Sequence, residues 1–413
     1  MRFLIAADAY PPEVSSAATL MAELAEGLAG RGHDVTVVTS YPSHYLAQGT
    51  QGKELPARER QARVDVLRVK TLAYRKGNYI VRGISQLLLP FLFFWKVART
   101  VRAPIDGIFV YSPPLPLGLL GVFVKRRYCA RFLLNLQDIF PQNAIDLGIL
   151  NSKPLIAFFE WLEEFVYRRA DLITFHSPGG RKFLVERKRV PPEKIVTLYN
   201  WVDIGSYQNP RRITPPFRQR FGLEGKFIFV FAGVFGPAQG LEFLVSVARE
   251  VRDIPDVVFL LVGGGSEKET IEGLVREWKL TNVVVKPFIS QDDYAALLTE
   301  ADVGIVCLSP KNKTSFVPGK LLGYLASGKP VAAFLNKESD GFEMIASAGC
   351  GYAQRSDNPE GAAALVRKMY EERSKLSKRG ANGLRFAREH LSLESTLKKI
   401  EELFEKRGAH SSD

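Results

Sequence analysis

The residues best placed for chemistry in this 413-residue chain fall in one run, Ser315-Phe316-Val317-Pro318-Gly319-Lys320, which continues through Gly323 to Gly328. A lysine in a Pro-Gly-Lys turn that opens a helix sets a point charge beside unpaired backbone N–H groups, an arrangement suited to phosphate. Two glycine-rich turns upstream add further amides: Gly233 to Gly240, which includes Gly236 and Gln239, and Gly263-Gly264-Gly265-Ser266. Each follows an apolar run and precedes a helical pattern. Neither turn matches G-x-G-x-x-G or the P-loop, which argues against NAD and ATP chemistry. No Asp-x-Asp or histidine cluster is present, so neither a metal nor a cofactor is expected. Cys129, Cys307 and Cys350 lie far apart, which excludes a disulfide framework, a zinc finger and a dithiol redox site.

The elements that must position these residues alternate short β-rich runs with longer helical patterns, the mark of βαβ units around parallel sheets. Strands are predicted at Phe3–Ala7, Val35–Thr39, Val64–Val69, Ile108–Tyr111, Phe132–Leu136, Leu172–Phe175 and Ile195–Leu198, with a helix over Ala18–Arg31. Asn209–Pro216 carries three prolines in eight residues and reads as an interdomain linker. A second series follows at Phe227–Ala232, Val258–Val262, Val283–Lys286, Val303–Val306, Val331–Phe334 and near Gly351, with helices over Leu241–Arg252 and Glu267–Lys279. Glu360–Arg407 is helical, charged and free of proline. The expected fold class is therefore α/β, two Rossmann-like domains facing across a cleft. Residues 1–205 form an acceptor domain, joined by a C-terminal helix near 385–413, and 206–384 a donor domain. Ligands would sit at the carboxyl ends of the strands.

A composition of 46% apolar and 24% charged residues is that of a globular protein. The net charge of +12 is lopsided: residues 1–205 hold 27 of the 56 basic residues but only 18 of the 44 acidic ones. Such a field attracts phosphates or anionic lipid, and no nucleic-acid-binding signature is present, so nucleic acid is not an expected partner. Phe3–Ala7 is too short for a signal peptide, which points to a cytoplasmic protein. Gly83–Trp95 is strongly apolar and flanked by Arg82, Lys96, Arg99 and Arg102. It is too short to span a bilayer but has the composition of an interfacial anchor at the inner membrane face.

The run from Ser315 to Val331 resembles the donor-binding signature of family 4 glycosyltransferases of the GT-B fold, which often reads Pro-Ser-Lys-x-x-Glu-Tyr-x-Ala-x-Gly-x-Pro-Val. Other landmarks fall in order: Tyr10-Pro11-Pro12-Glu13 resembles the acceptor loop, Gly32 to Val37 the second strand, and Asp138-Ile139-Phe140-Pro141 the Asp-Leu-Trp-Pro segment of the surface-polysaccharide branch. Phe231-Ala232-Gly233 through Glu242 is similar to the N-acetylfucosaminyl and fucosyl transferases. The resemblance implies retaining transfer from a nucleotide-diphosphate sugar, UDP-linked or else GDP-linked, to a saccharide or polyprenyl-diphosphate-linked acceptor. It implies catalytic roles for Lys320, Asp138 and His176. Donor contacts are implied from Gly233, Gly236, Gln239, Gly263, Gly264, Phe288, Ile289, Ser315, Pro318, Gly319 and Lys320, and acceptor contacts from Glu13, Ser15, Ser16 and Asp138.

The chain departs from that pattern at several positions. The family's paired glutamates correspond to Ser315 and Gly323, its arginine and lysine on the first glycine-rich turn to Val234 and Gln239, and its acceptor-loop glycines to Ser15 and Ser16. Lys320 is the cation left to meet the diphosphate. Two alternatives follow: a non-catalytic nucleotide-sugar-binding homologue, and another double-Rossmann enzyme such as a 2-epimerase.

Overall fold

Strands buried on both faces read as unbroken apolar runs, and Val257–Gly264 shows this fully, with all eight residues buried. The computed structural model describes all residues except 14, 43–54, 72–78, 147–148, 314–316 and 406–413. The chain divides into two compact units, Met1–Asn200 with the segment from Thr396 onward, and Trp201–Ser395. Each is an α/β unit built on one sheet.

The first unit contains β1 (Arg2–Ala6), α1 (Ser16–Gly30), β2 (Asp34–Ser40), β3 (Arg58–Gln61), β4 (Val64–Val69) and α2 (Tyr79–Thr100). There follow β5 (Gly107–Ser112), α3 (Gly118–Tyr128), β6 (Arg131–Leu136), α4 (Gln142–Asp146), α5 (Lys153–Arg169), β7 (Leu172–Phe175), α6 (Pro178–Glu186) and β8 (Ile195–Thr197). The strand order is β3-β4-β2-β1-β5-β6-β7-β8, parallel except for β3, which pairs antiparallel with β4. Helices α2, α3 and α5 bury Leu89 and Phe93, Leu120 and Val124, and Leu162 and Val166 in one core cluster.

The second unit contains α7 (Ile204–Gln208), α8 (Phe217–Phe221), β9 (Phe227–Val234), α9 (Leu241–Glu250), β10 (Val257–Gly264), α10 (Lys268–Glu277), β11 (Val283–Lys286), α11 (Gln291–Glu300) and β12 (Val303–Cys307). It continues with α12 (Gly319–Ala326), β13 (Val331–Leu335), α13 (Gly341–Ala348), β14 (Gly351–Arg355), α14 (Pro359–Glu371), α15 (Leu376–Phe386) and the start of α16 (Leu393–Glu405). Its sheet is wholly parallel, in the order β11-β10-β9-β12-β13-β14.

Two features differ from the pattern read in the sequence, the place of the proline-rich stretch and the form of the C-terminal region. The proline-rich stretch 209–216 lies inside the second unit, because the segment before it already packs there: Gln208 Nε2 donates to the Ala326 carbonyl at 2.8 Å. The C-terminal region is three helices, with a short turn after α14 and a π-helical turn at Ala387–Leu391 before α16. The part of α16 from Thr396 packs in the first unit, where Phe404 meets Phe3 edge-on at 5.0 Å and Glu401 pairs with Arg31 and His33.

Candidate functional site

The second unit reverses its direction of growth between β9 and β12, and open parallel sheets bind ligands outside the strand carboxyl ends at such a point. Here β9 and β12 pair through only two residue pairs, Val303 with Phe229 and Gly304 with Val230, whereas β9 and β10 stay paired over eight. Tyr324 of α12 fills the gap, its hydroxyl donating to the Val230 carbonyl at 3.2 Å. This bond fixes the roll of α12. One turn earlier on the same face, Lys320 is aimed at the end of β9.

A cavity of about 550 Å³ opens there, lined by Gly233, Phe288, Ile289, Gly319 and Lys320 among others, and Lys320 is the one charged residue among its described lining. The Lys320 ammonium donates to Gln239 Oε1 at 2.8 Å and lies 4.6 Å from the centre of the buried Phe231 ring. No carboxylate neutralises it in these contacts. Burial pushes its pKa down from 10.5 to about 8, with the nearby Cys307 thiol acting in the opposite sense. Cys307 is itself raised to about 12 by burial. A desolvated cation with only a neutral partner is poised to gain from an anionic ligand.

Glycine is required where the two glycine-rich turns meet. Gly263 has φ +155°, and a Cβ on it would lie 1.9 Å from the Gly233 carbonyl oxygen. Gly263 and Gly264 stand beside Gly233 and Val234 in the strand register. Phe288 is 58% exposed at the cavity, and a Cβ on Gly264 would lie 3.3 Å from its ring. Gly236, Gln239, Gly263, Gly264 and Pro318 do not line the cavity. Gly236 caps the short turn Pro237–Gln239 that delivers Gln239 to Lys320, and Pro318 is buried immediately before α12. Ser315 lies outside the described residues.

In the first unit, Asp138 and His176 follow the neighbouring strands β6 and β7. Asp138 reaches solvent, yet desolvation by the surrounding protein raises its pKa above the ordinary aspartate value. Its charge, after burial, contributes to raising Tyr111 to about 12. His176 is buried, stacked on Phe175 at 4.6 Å, and held down to a pKa of about 4 by desolvation, despite its hydrogen bond to the Leu136 backbone. Its Nδ1 is buried with no hydrogen-bond partner among the described residues. At neutral pH it is an uncharged ring able to accept a hydrogen bond. An amide chain orders the same edge: Asn200 donates to Gln137 at 2.7 Å, Gln137 to Asn135 at 2.8 Å, and Asn135 to Thr174 at 2.9 Å.

Of the residues read as acceptor contacts, Ser15 has a structural task, capping α1 by accepting from the Ala18 amide at 3.1 Å. Ser16 is the first residue of that helix and exposed, and Glu13 donates its amide to the Tyr10 carbonyl at 3.2 Å. Arg68, which sequence reasoning missed, fastens this loop from beneath. Its buried guanidinium donates to the Pro11 carbonyl at 2.8 Å and pairs with Glu59.

Residues 16–201 match the glycosyl transferase 4-like domain, and residues 214–386 match the glycosyl transferases group 1. The chain belongs to the family 4 glycosyltransferases of the GT-B fold. The probable glycosyltransferase WbjE of Pseudomonas aeruginosa is 26% identical to it over 300 residues, covering 72% of this chain and 74% of that protein. The putative colanic acid biosynthesis glycosyl transferase WcaI of Escherichia coli K12 is 24% identical over 336 residues, covering 79% and 82%. The structure of Anabaena HepE in complex with UDP superposes with a TM-score of 0.73 at 15% identity, covering 98% of this chain and 100% of that one. A further HepE structure holds UDP-glucose.

In this glycosyltransferase two aromatic rings stand close around Gly323, the position that the sequence pattern aligns with a family glutamate. A Cβ at Gly323 would lie 3.2 Å from the Tyr207 hydroxyl and 3.4 Å from the Tyr294 ring. The two rings meet edge-on at 6.1 Å, and both tyrosines line the cavity. The Tyr294 hydroxyl is tied to Tyr324, and desolvation raises the pKa of both. Tyr207 was not legible as a site residue, since α7 is a five-residue helix remote in sequence from the glycine it faces.

Proposed function

We propose that this glycosyltransferase moves a sugar, with retention of configuration, from a UDP-linked donor to a saccharide or polyprenyl-diphosphate-linked acceptor in the assembly of a cell-surface polysaccharide at the inner membrane face. The observation that carries the reading is the half-buried Lys320 ammonium, set at a strand-end cavity beside a glycine-rich turn with a neutral amide as its partner. It would bind the donor diphosphate and stabilise the charge that grows on it as the sugar departs. The exposed Phe288 ring and the backbone around Ile289 would receive the base by stacking and main-chain bonds. Asp138 would orient the acceptor hydroxyl and take up its proton, while the neutral His176 would accept a hydrogen bond from the moving sugar. We propose that transfer proceeds with the nucleotide sugar as its only co-substrate.

The presence of UDP and UDP-glucose in HepE supports uridine over guanosine, and the name of WcaI supports a polysaccharide product. The likeness of Phe231–Glu242 to the fucosyl branch favours a deoxyhexose or aminodeoxyhexose as the transferred sugar. A binding-only homologue is not favoured, because the desolvated ammonium at the cavity has been kept. Thermal unfolding of the full chain against UDP, GDP and their sugars tests the donor. A uridine nucleotide at 100 times its dissociation constant should stabilise by about 2.7 kcal/mol. Stabilisation by guanosine nucleotides alone, or by none, overturns the assignment, and the anomeric configuration of the product, read by NMR, decides retention.

A further inference from the structure

Eight of the eleven large hydrophobic side chains exposed among the described residues lie on two helices of the first unit. Ile84, Leu88, Phe91, Leu92 and Trp95 recur at helical spacing along α2, and Leu155, Phe158 and Trp161 along α5. These stripes face away from the core, because the opposite faces of both helices bury Leu89, Phe93, Leu162 and Val166 beneath them. An α2 that is apolar on both faces has more apolar surface than its own sheet can cover. No helix among the described residues is long and apolar enough to cross a membrane.

Charge completes the pattern. Helices α2 and α3 carry six Lys and Arg and no Asp or Glu. The α2 stripe runs from Trp95 directly to Arg99, whose guanidinium sits 3.7 Å from the indole centre. The chain then forms the wall, residues 100–105, of a cavity of about 260 Å³ that gathers Arg2, Arg58, Arg60, Arg63 and Arg102. Its two acids are already engaged, Asp34 with Arg2 and Asp65 with Arg58. The acids on the α5 surface are Glu160 and Glu164, and Glu164 pairs with Arg168.

From this we infer that the α2 and α5 stripes, with the arginine cavity at the end of α2, form a docking face for a bilayer containing anionic phospholipid. The apolar side chains enter the boundary between headgroups and acyl chains, and the arginines take the lipid phosphates. A second copy of the chain is a poor occupant, because a twofold contact would set this arginine cluster against itself. The inference deepens the reading of a lipid-linked acceptor and draws its purpose from it, but its test needs no sugar.

The full chain is floated with vesicles of phosphatidylcholine alone and of phosphatidylcholine with phosphatidylglycerol. Binding is expected to the anionic vesicles and to weaken with salt. A Trp95→Glu/Trp161→Glu variant should lose it. Each near-surface arginine multiplies the partition by about fivefold, so Arg60→Gln/Arg63→Gln/Arg102→Gln should weaken it on the order of 100-fold. All variants should keep the wild-type melting temperature and its shift with UDP, which separates failure of docking from failure of the donor reading. Equal binding to neutral vesicles, undiminished binding by either variant, or a solution dimer that Trp95→Glu dissociates would overturn the proposal.

Discussion

Gly233 and Lys320 are shaped to each other: a Cβ on Gly233 would lie 2.7 Å from Lys320 Cε, along the path by which the ammonium reaches Gln239. Gly233 also holds φ +147°, a region that side-chain-bearing residues seldom adopt. Gly233→Val should therefore displace the ammonium. The expected result is loss of the UDP-induced thermal shift in a protein that still folds, seen as unchanged far-ultraviolet circular dichroism. A Gly233→Val protein with full donor affinity removes the claim that this glycine is needed to place the lysine.

Lys320 itself should matter more in the transition state than in the ground state. Lys320→Met is expected to lower kcat on the order of 100-fold, the scale for removing one pre-aimed donor to a developing anion. Its pH behaviour gives an independent check. The wild-type ammonium, with its pKa pushed down to about 8, is lost as pH rises through that value, so diphosphate affinity should fall there. In the unfolded chain the group titrates at its ordinary 10.5. Between those values the unfolded state binds more protons, so this group's contribution to stability rises with pH from about 8 toward 10.5, and below about 8 its penalty is present in full. Lys320→Met should lack that rise and melt no earlier than wild type at neutral pH. A wild-type donor affinity that is flat across this window rules out the ammonium as the diphosphate contact.

The Tyr207 hydroxyl occupies the space that a side chain at position 323 would enter. Gly323→Glu alone should destabilise the protein and weaken donor binding, because its Cβ would crowd the Tyr207 hydroxyl and overpacking typically costs about 1–3 kcal/mol. Tyr207→Ala opens that space, so the double variant should recover stability relative to Gly323→Glu. A double-mutant cycle on melting temperature reads the coupling, and strict additivity would show that the two positions do not compete for one volume.

The strands were legible because β-branched and other apolar residues dominate them, as in Val64–Val69 and Leu172–Phe175, where the bounds read from sequence coincide with the observed ones. β3 was not, because Arg58–Gln61 is wholly polar and is a strand only through pairing with β4 at the sheet edge. Lys320 and the glycine-rich turns stood out because strand-to-helix turns are local in sequence. The roles of Phe231, Tyr324 and Arg68 did not, since each acts on a residue dozens of positions away or more. The exact division between the units was not legible in the prolines either. Prolines mark where regular structure stops, whereas the division at Asn200–Trp201 is set by packing, with Val202 bonded to Leu391 at 2.9 Å.

Asp138 and His176 offer a test in the first unit that leaves the donor cavity untouched. Desolvation raises the Asp138 pKa, so its carboxylate is lost at a higher pH than an ordinary aspartate, and transfer that needs the ionised form should fall on the acid side accordingly. Asp138→Asn should abolish that acid limb and lower kcat, while the UDP-induced thermal shift stays at its wild-type value. His176 moves in the opposite direction: with its pKa held near 4 it is uncharged throughout the working range, so it contributes no limb of its own above about pH 5. His176→Asn, which keeps a hydrogen-bond acceptor in place of the unpaired Nδ1, should retain more activity than His176→Phe, which keeps the stacking on Phe175 but has no acceptor. Equal activity of the two variants would make His176 a packing residue, and an acid limb that survives in Asp138→Asn would assign the proton transfer to another group.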